Sequence, residues 1–351
     1  MSRLVQNNVF KVDLEKTFMK KSLALIIALG GIVWLVGQED RRRGPGGEGR
    51  GSGGPVRGQP SQAEKVDLPD AQSKIYVEGE YRFIESNGVP DHDHGKFPRR
   101  GNPHTILPQT YKWRVPANPE GASELTELGR RPFGTALNGI PFDPGTAEYW
   151  NNDRNSDWRY EALSGHLKLG VDDNNAHVQP TGAYHYHGLP IGVILNQGSP
   201  DRMTMVGYAA DEFPVYANYG YKKADDPKSG LKKMQSSWST KSGTRPEKPE
   251  GPGGAFDGRF VADYEYVEGQ GDLDESNGRF GPTPEYPDGI YHYYIVEQFP
   301  FIPRKFKGTP DESFSVRGAA GPPRGGGPGG RPGGRRGPRR GGEGGPPPRE
   351  R

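Results

Sequence analysis

Histidines are the residues of this chain best suited to chemistry, and all eight lie between positions 92 and 292. His185 and His187 stand two apart in the run YHYH. Because alternate residues of a strand face the same side, a strand would direct both imidazoles to one face and both tyrosines to the other. A His-x-His pair on a rigid strand is a common beginning of a metal site. The pair therefore predicts a metal centre; the alternative is that both rings only form hydrogen bonds within a packed sheet.

A third histidine precedes this pair at a suitable distance along the chain. His177 lies eight residues before His185, and Pro180 and Gly182 between them can turn the chain. We therefore expect His177 to approach the same patch as His185 and His187. A set of three histidines suits Zn²⁺ or Cu²⁺.

The pattern P-x-G-x-Y-H-Y occurs twice, beginning at Pro180 and again at Pro287. His292 is the counterpart of His185, and Tyr294 stands where the first copy has His187. Two interpretations remain open. The two strands are neighbours in one sheet and His292 completes the metal site, or the copies share only the chemistry of a turn followed by a strand.

Two loops supply further candidate ligands. His92 and His94 alternate with aspartates in DHDHG and are either metal ligands or part of a solvated loop. Asp272 and Asp274 stand two apart before Asn277-Gly278, a spacing that resembles part of a calcium loop. The downstream bidentate glutamate of an EF-hand is missing, so an Asp/Asn-stabilised turn is the favoured interpretation. Ca²⁺ remains a second candidate ion at these acidic loops.

The elements that position these residues are predicted to be strands. Convincing helical periodicity is nearly absent, while apolar or alternating runs are separated by Asn-Gly, Asp-Gly and Pro turn signals. We predict a mainly β fold over residues 71–316: a single β-rich, sandwich-like domain with long loops. One apolar helix near the N-terminus and disordered tails complete the prediction. The strand-like runs are 74–84, 191–195, 203–208, 259–267 and 289–296.

Residues 22–37 form the only long apolar run of the sequence and follow a basic N-terminal region, residues 1–21. Sixteen residues are short against the roughly 20 that a spanning helix needs, which favours a signal peptide over a membrane anchor. A translation start at Met19 would give the usual layout of an export signal. Small residues suited to cleavage are scarce, so an uncleaved anchor stays open. Either alternative places the folded domain outside the cytoplasm, whether periplasmic, membrane-anchored or secreted.

Charge is strongly segregated along the chain, whose net charge is +2. Residues 38–70 form a Gly/Pro/Arg-rich linker, and residues 317–351 carry nine arginines against two glutamates. Residues 61–316 carry 37 acidic against 27 basic residues, which argues against a nucleic-acid-binding core. The tail lacks interleaved aromatic residues, so we expect no nucleic acid there and propose anionic lipid or a cell-surface polymer as its partner. The absence of cysteine excludes disulfides.

The sequence around the histidines resembles that of the YHYH family of bacterial exported proteins, and the resemblance extends over roughly residues 75–316. It implies export and membership of a family named for its motif, without an activity to carry over. The blocks that carry it are AHVQPTGAYHYHGLP at 176–190, VPDHD at 89–93, KFP at 96–98, LNGIPFDPG at 137–145, VGYAAD at 206–211 and residues 272–306.

This chain departs from the family pattern at three positions. The family often has cysteine in the blocks where this chain has Ser276 and Lys305, and the loss of both fits a disulfide lost as a unit. Glu212 replaces the usual glycine after Ala-Asp, which questions the tight turn at Asp211. No P-loop, dinucleotide-binding motif or nucleophile elbow occurs, so enzymatic activity is left uncertain. Three hypotheses follow: an exported metal-binding module, a metal-dependent extracytoplasmic enzyme, or a structural or adhesion module without metal.

Overall fold

Strands dominate the fold, which a computed structural model describes over residues 67–315. One short α-helix, α1 (Ile191–Asn196), and three single 3-10 turns accompany the strands. The 3-10 turns are Trp150–Asn152, Val261–Asp263 and Glu312–Phe314. The prediction of a mainly β fold is confirmed.

Seventeen strands occur among the described residues. In chain order they are β1 (Ser73–Glu78), β2 (Tyr81–Ser86), β3 (Tyr111–Pro116), β4 (Thr126–Glu127), β5 (Gly134–Ala136), β6 (Pro141–Phe142), β7 (Ala176–Val178), β8 (Tyr184–Tyr186), β9 (Met205–Ala209), β10 (Pro214–Tyr216), β11 (Tyr219–Lys223), β12 (Asp226–Lys233), β13 (Trp238–Thr240), β14 (Tyr264–Tyr266), β15 (Gly278–Gly281), β16 (Ile290–Tyr294) and β17 (Lys305–Phe306).

Eight of the strands form one mixed sheet in the order β15-β16-β10-β9-β5-β6-β8-β7. Strand β8 is parallel to β6, and β16 is parallel to β10, whereas the other neighbours are antiparallel. A second, three-stranded sheet has the order β1-β2-β3. The pairs β11–β12, β13–β14 and β4–β17 form three small two-stranded sheets.

The eight-stranded sheet consists of two halves of the same design. In the first half the hairpin β5–β6 is followed by the hairpin β7–β8, and in the second half β9–β10 is followed by β15–β16. The halves meet at the antiparallel pair β5–β9, where Gly134 pairs with Ala209 and Ala136 pairs with Gly207. If the two halves are interchanged, Gly134 takes the place of Gly207 and Ala209 takes the place of Ala136. The first of these pairs then becomes the second. The sheet therefore has a pseudo-two-fold arrangement, with the two copies of P-x-G-x-Y-H-Y near its opposite edges.

The turns of the two central hairpins show the same correspondence in the backbone. Gly139 between β5 and β6 and Glu212 between β9 and β10 both have φ of 74°. Their amides donate to the carbonyls of Ala136 at 2.8 Å and Ala209 at 3.0 Å. This left-handed conformation normally favours glycine. The tight turn after Asp211 is therefore retained although Glu212 replaces the usual glycine.

A single hydrophobic core joins the two larger sheets. Ile84, Trp113 and Val115 of the three-stranded sheet belong to the same buried cluster as Phe142 and Tyr216 of the eight-stranded sheet. The rings of Trp113 and Phe314 stack within this cluster, with centroids 5.3 Å apart. Burial of such large aromatic groups contributes strongly to stability, because each removes a large apolar area from water.

The run 191–195, which the sequence predicts as strand-like, is instead the start of α1. Pro190 precedes the helix, and its carbonyl accepts a hydrogen bond from the Ile194 amide at 3.1 Å. The Gly192 amide, which has no partner inside a first helical turn, donates to Asn174 Oδ1 at 2.8 Å. The prediction of a strand here is wrong because a short apolar run does not distinguish a strand from a buried helical segment.

The predicted basic N-terminal region, the apolar run 22–37 and the arginine-rich tail lie outside the described residues. The predicted linker, 38–70, is described only from residue 67 onward. Between residues 67 and 315, no helix has the length and apolar character required to cross a membrane.

Candidate metal centre

The hairpin β7–β8 brings three histidines to one face at an edge of the large sheet. His185 lies on β8 and His187 directly follows the strand; residues two apart in extended backbone share a face, which gives the two rings a common direction. His177 on β7 is directly opposite His185 in the antiparallel register. The turn between the strands is closed by the Gly182 amide, which donates to the Gln179 carbonyl at 2.8 Å, and Gly182 has φ of 85°. The structure thus brings together the three residues that the sequence grouped.

The Nε2 nitrogens of the three rings converge on one point. His185 Nε2 and His187 Nε2 are 3.0 Å apart, and His187 Nε2 and His177 Nε2 are 3.1 Å apart. Of the described residues, only these three form a group of potential metal ligands of this compactness, all within 4.8 Å of one another. Tetrahedral Zn–N bonds of about 2.0–2.1 Å would place two nitrogens ~3.3 Å apart, close to the observed spacing.

Backbone carbonyls determine which ring nitrogens carry protons. His177 Nδ1 lies 3.0 Å from the Leu169 carbonyl, and His185 Nδ1 lies 3.3 Å from the Ala183 carbonyl. Since a carbonyl only accepts, both Nδ1 atoms carry the proton and both Nε2 atoms present lone pairs. His187 Nε2 contacts the Nε2 atoms of both other rings, but it can donate at most one proton to them. The buried His187 Nδ1 has no hydrogen-bond partner. A hydrogen-bonded network does not satisfy this cluster, whereas a cation at the point of convergence does.

The cluster is held in its neutral form. His185 and His187 are almost fully buried, with 2% and 1% exposure. Burial lowers the pKa of both His177 and His185 to about 4, and it lowers the pKa of His187 well below its usual value. Metal ligation requires unprotonated imidazole, so these rings are ready for a metal ion at neutral pH.

A cavity of about 350 Å³ opens onto the three histidines. His104, Glu148 and Gln179 also line it, and the Gln179 amide donates to Asp143 Oδ2 at 3.2 Å. Burial raises the pKa of Asp143. A small molecule therefore has access to the side of the centre that the protein does not fill. No sequence pattern singles out His104, Asp143 or Glu148, because their proximity to the histidines arises from loop packing.

The opposite face of β8 carries the two tyrosines and a different network. Tyr184 donates to Asp172 Oδ2 at 2.7 Å, and the Tyr186 hydroxyl lies 2.6 Å from His92 Nε2. His92 and His94 line a separate cavity of about 880 Å³ on this side. The structure therefore does not bring either of these predicted ligands to the three-histidine centre.

His292 also lies apart from the centre. Its strand, β16, is in the same sheet as β8, but β10, β9, β5 and β6 separate them. The hypothesis that the two motif strands are neighbours is therefore wrong, because each pairs with a hairpin partner and a strand of its own half. His292 Nε2 lies 2.9 Å from the Tyr294 hydroxyl, and its Nδ1 lies 2.9 Å from the Ile290 carbonyl.

The acidic loop before β15 forms a turn, as the favoured interpretation proposed. Asp274 Oδ1 accepts hydrogen bonds from the amides of Ser276 and Gly278, both at 3.0 Å. Asp272 instead forms an ion pair with Lys232 at 2.6 Å and accepts a hydrogen bond from the Gln235 amide. Neither aspartate belongs to a group of potential ligands within the described part of the chain. Calcium binding at this loop stays a prediction.

The two positions at which the family resemblance implies cysteine lie near each other. Lys305 Nζ forms an ion pair with Glu275 Oε1 at 2.8 Å, and Glu275 is the immediate neighbour of Ser276. Ser276 itself is fully buried. An ion pair therefore connects these two segments of this chain.

A family model described as YHYH protein matches residues 112–308, which is more than half of the chain. This span contains all three histidines of the centre and both copies of P-x-G-x-Y-H-Y, but not His92 and His94. Searches of the curated proteins and of the solved structures returned no match.

Proposed function

The chain belongs to the YHYH family, and we propose that it is an exported protein that binds one divalent transition-metal ion through His177, His185 and His187. The observation that carries the proposal is the convergence of three Nε2 nitrogens, two of which are fixed as lone-pair donors by backbone carbonyls. A carbonyl on the far nitrogen is the usual support of a metal-bound histidine. Packing alone does not require a backbone carbonyl at the far ring nitrogen.

Zn²⁺ and Cu²⁺ are the ions that suit this centre best. Neutral imidazole is a borderline-soft ligand that these ions prefer, whereas Ca²⁺ and Mg²⁺ prefer oxygen ligands. Burial of the rings supports the neutral form at physiological pH.

Export is supported by the apolar run 22–37 with Lys20 and Lys21 before it. In this proposal the domain lies outside the cytoplasm, either released after signal cleavage or attached through that segment to the membrane. The arginine-rich tail, 317–351, would then contact an anionic surface polymer or lipid. Sequencing the mature N-terminus after cell fractionation tests this part, and recovery of the protein in the cytosol would contradict it.

A metal-dependent enzyme is the second candidate, and the cavity over the three histidines favours it. Three protein ligands with an accessible fourth position are typical of catalytic zinc, whereas structural zinc has four protein ligands. Glu148 and His104 line the same cavity and are the residues available to move a proton there. Water-proton relaxation of the Cu²⁺-loaded protein separates the candidates: fast exchange of bound water supports an open site, and its absence supports a binding module.

Metal analysis of the protein, purified without an affinity histidine tag, tests the main proposal. We expect about one equivalent of Zn²⁺ or Cu²⁺ by mass spectrometry and a saturable isotherm by calorimetry. His187→Gln should abolish tight binding, whereas His292→Gln, at the equivalent strand of the other half, should leave the stoichiometry unchanged. Absence of metal binding, or equal loss in both variants, would leave a structural or adhesion role.

A further inference from the structure

A second cavity, of about 220 Å³, lies beside the metal centre and is rich in arginine. Arg130, Arg131, Arg154 and Arg159 all line it, together with a single carboxylate, Asp143. We call these four side chains the arginine cluster. Bringing four like charges to one small cavity is unfavourable unless an anion balances them.

The members of the arginine cluster have no carboxylate partners in the described part of the chain, unlike five other arginines of the domain. Between residues 67 and 315, none of its four members forms an ion pair with a carboxylate. By contrast, carboxylates pair with Arg82, Arg114, Arg245, Arg259 and Arg304. The guanidinium groups of the cluster therefore keep hydrogen-bond donors for a ligand.

Arg159 anchors the arginine cluster to the wall between the two cavities. Its Nε donates to the Thr146 carbonyl at 2.8 Å, and its guanidinium carbon lies 5.7 Å from the centre of the Tyr149 ring. Donation through Nε leaves the terminal nitrogens for other partners. The site is thus partly preorganised before any ligand binds.

The two cavities share part of their lining. Thr146 and Gln179 contribute to both, as do Gly145 and Ala147. Asp143 lines the arginine cavity and is bonded to Gln179. A ligand of modest size can therefore contact both places at once.

We propose that the arginine cluster binds the phosphate or sulfate group of a ligand whose other end reaches the three-histidine centre. This inference rests on the proposed metal site and adds the chemical class of its ligand. Arginine presents paired donors that match such an oxyanion, and two or more guanidinium groups complement its double charge. A cavity of this size, below the roughly 300–1,000 Å³ of drug-sized pockets, suits one small group and not a polymer.

The larger cavity near His92 is a poorer candidate for an anion. Lys96 and Arg99 line it, but so do Asp93, Asp172 and Asp173. Its charges are mixed, so it favours an oxyanion less than the arginine cluster does.

Calorimetric titration of inorganic phosphate into the full chain tests the inference. The protein is loaded with Zn²⁺ and freed of excess metal, and the metal content of every sample is measured. The test variant is R130Q/R154Q, because both side chains are exposed and their loss leaves the fold intact. The matched control is R100Q/R202Q, two exposed arginines outside the cavity. Parallel titrations with sulfate, methyl phosphate and acetate define the ligand class.

We expect saturable phosphate binding that R130Q/R154Q weakens by about ten-fold or more, since charge-assisted hydrogen bonds are lost, with the control unchanged. Tighter binding of methyl phosphate than of phosphate identifies the phosphoryl group of a larger molecule as the source. No saturable binding, unchanged binding in R130Q/R154Q, preference for acetate, or equal loss in the control would overturn the inference. A sample that takes up no Zn²⁺ on loading and still binds phosphate through the cluster would contradict the proposed function and not the anion site.

Discussion

The two edge hairpins of the large sheet, β7–β8 and β15–β16, have the same scaffold and different chemistry. Each is preceded by an aspartate, Asp172 or Asp274, whose carboxylate accepts two amide hydrogen bonds from the residues that follow it. The same carboxylate accepts the hydroxyl of the first tyrosine of the motif, Tyr184 or Tyr291. In each turn an asparagine, Asn175 or Asn277, has a left-handed φ of 54° or 57°.

The correspondence continues to the residue after the motif. The carbonyl of Asn175 accepts from the His187 amide at 2.8 Å, and that of Asn277 accepts from the Tyr294 amide at 3.0 Å. His187 and Tyr294 are therefore equivalent positions. Opposite the shared histidine, β7 presents His177 where β15 presents Arg279.

These two differences decide what each hairpin can bind. In the second hairpin Tyr294 donates its proton to His292 Nε2 at 2.9 Å and accepts from Arg279 at 3.2 Å, so the histidine and the tyrosine are satisfied without a metal. In the first hairpin three Nε2 atoms converge and share at most one proton, which is too few to make hydrogen bonds of both contacts between them. The backbone shared by the two hairpins can therefore also carry side chains that need no metal. The second hairpin supports a ligand function for the histidines of the first, beyond packing.

Converting the first hairpin into the second should have the largest effect. His187→Tyr places a hydroxyl where it can donate to His185 Nε2, as Tyr294 does to His292. We expect the affinity for Zn²⁺ to fall by more than about 100-fold, since loss of a ligand exceeds the loss of an outer-shell partner. The metal-free variant should unfold at a temperature no lower than that of the metal-free wild type. Calorimetric titration and thermal unfolding with a chelator measure both, and retained affinity would contradict the centre.

The reverse conversion should create a second site. R279H/Y294H gives β15–β16 the same three histidine positions as β7–β8, and we expect the stoichiometry to rise from one to two equivalents of metal. Tyr294→His alone should not suffice, because Arg279 would remain opposite His292 and oppose a cation. Equilibrium dialysis measures the stoichiometry. A folded double variant with only one equivalent would mean that the equivalence of the hairpins does not extend to ligand geometry.

Acid should act on the second hairpin through His292, which no metal protects. Burial lowers the pKa of His292 from 6.5 to about 4. The unfolded chain takes up this proton below pH 6.5 and the folded chain does not, so stability is full above pH 6.5 and falls towards pH 4. We expect His292→Gln to reduce the loss between pH 7 and pH 4.5 by about 2–3 kcal/mol. Urea unfolding with a chelator measures the difference, and an equal loss in wild type and variant would exclude this assignment.

The sequence predicts the elements of the centre better than their arrangement. Alternation on a strand sufficed to place His185 and His187 on one face, and Pro180 with Gly182 indicated the turn that returns to His177. The repeat P-x-G-x-Y-H-Y was visible, but the equivalence of Gly139 and Glu212 was not, because it depends on backbone conformation and little on residue type. Pairing between strands distant in sequence, which keeps His292 from the centre, is determined by the whole sheet.

The arginine cluster illustrates a different limit. Arg130, Arg131, Arg154 and Arg159 come from two loops whose meeting depends on side-chain packing and carries no periodicity. The net charge of a long segment does not reveal these four arginines, because the domain as a whole is acidic. Local clustering of unpaired charge is a property of the folded surface.

The smallest expected effect concerns the turns that join each half. Glu212 has the same φ of 74° as Gly139, but its side chain is buried and pairs with Arg82 Nε at 2.6 Å. Glu212→Ala and Glu212→Gly both remove this pair, and only glycine also relieves the left-handed conformation. We expect the glycine variant to be more stable than the alanine variant by about 1 kcal/mol in urea unfolding.

Gly139 provides the matched position in the other half. A Cβ at Gly139 would lie 2.2 Å from Ser86 Cβ, so Gly139→Ala should cost more than the difference between the two Glu212 variants. A Glu212→Ala variant as stable as Glu212→Gly would show that the turn in the second half relaxes when the Arg82 pair is removed. The two turns would then share a conformation for different reasons, the first through steric necessity and the second through the ion pair.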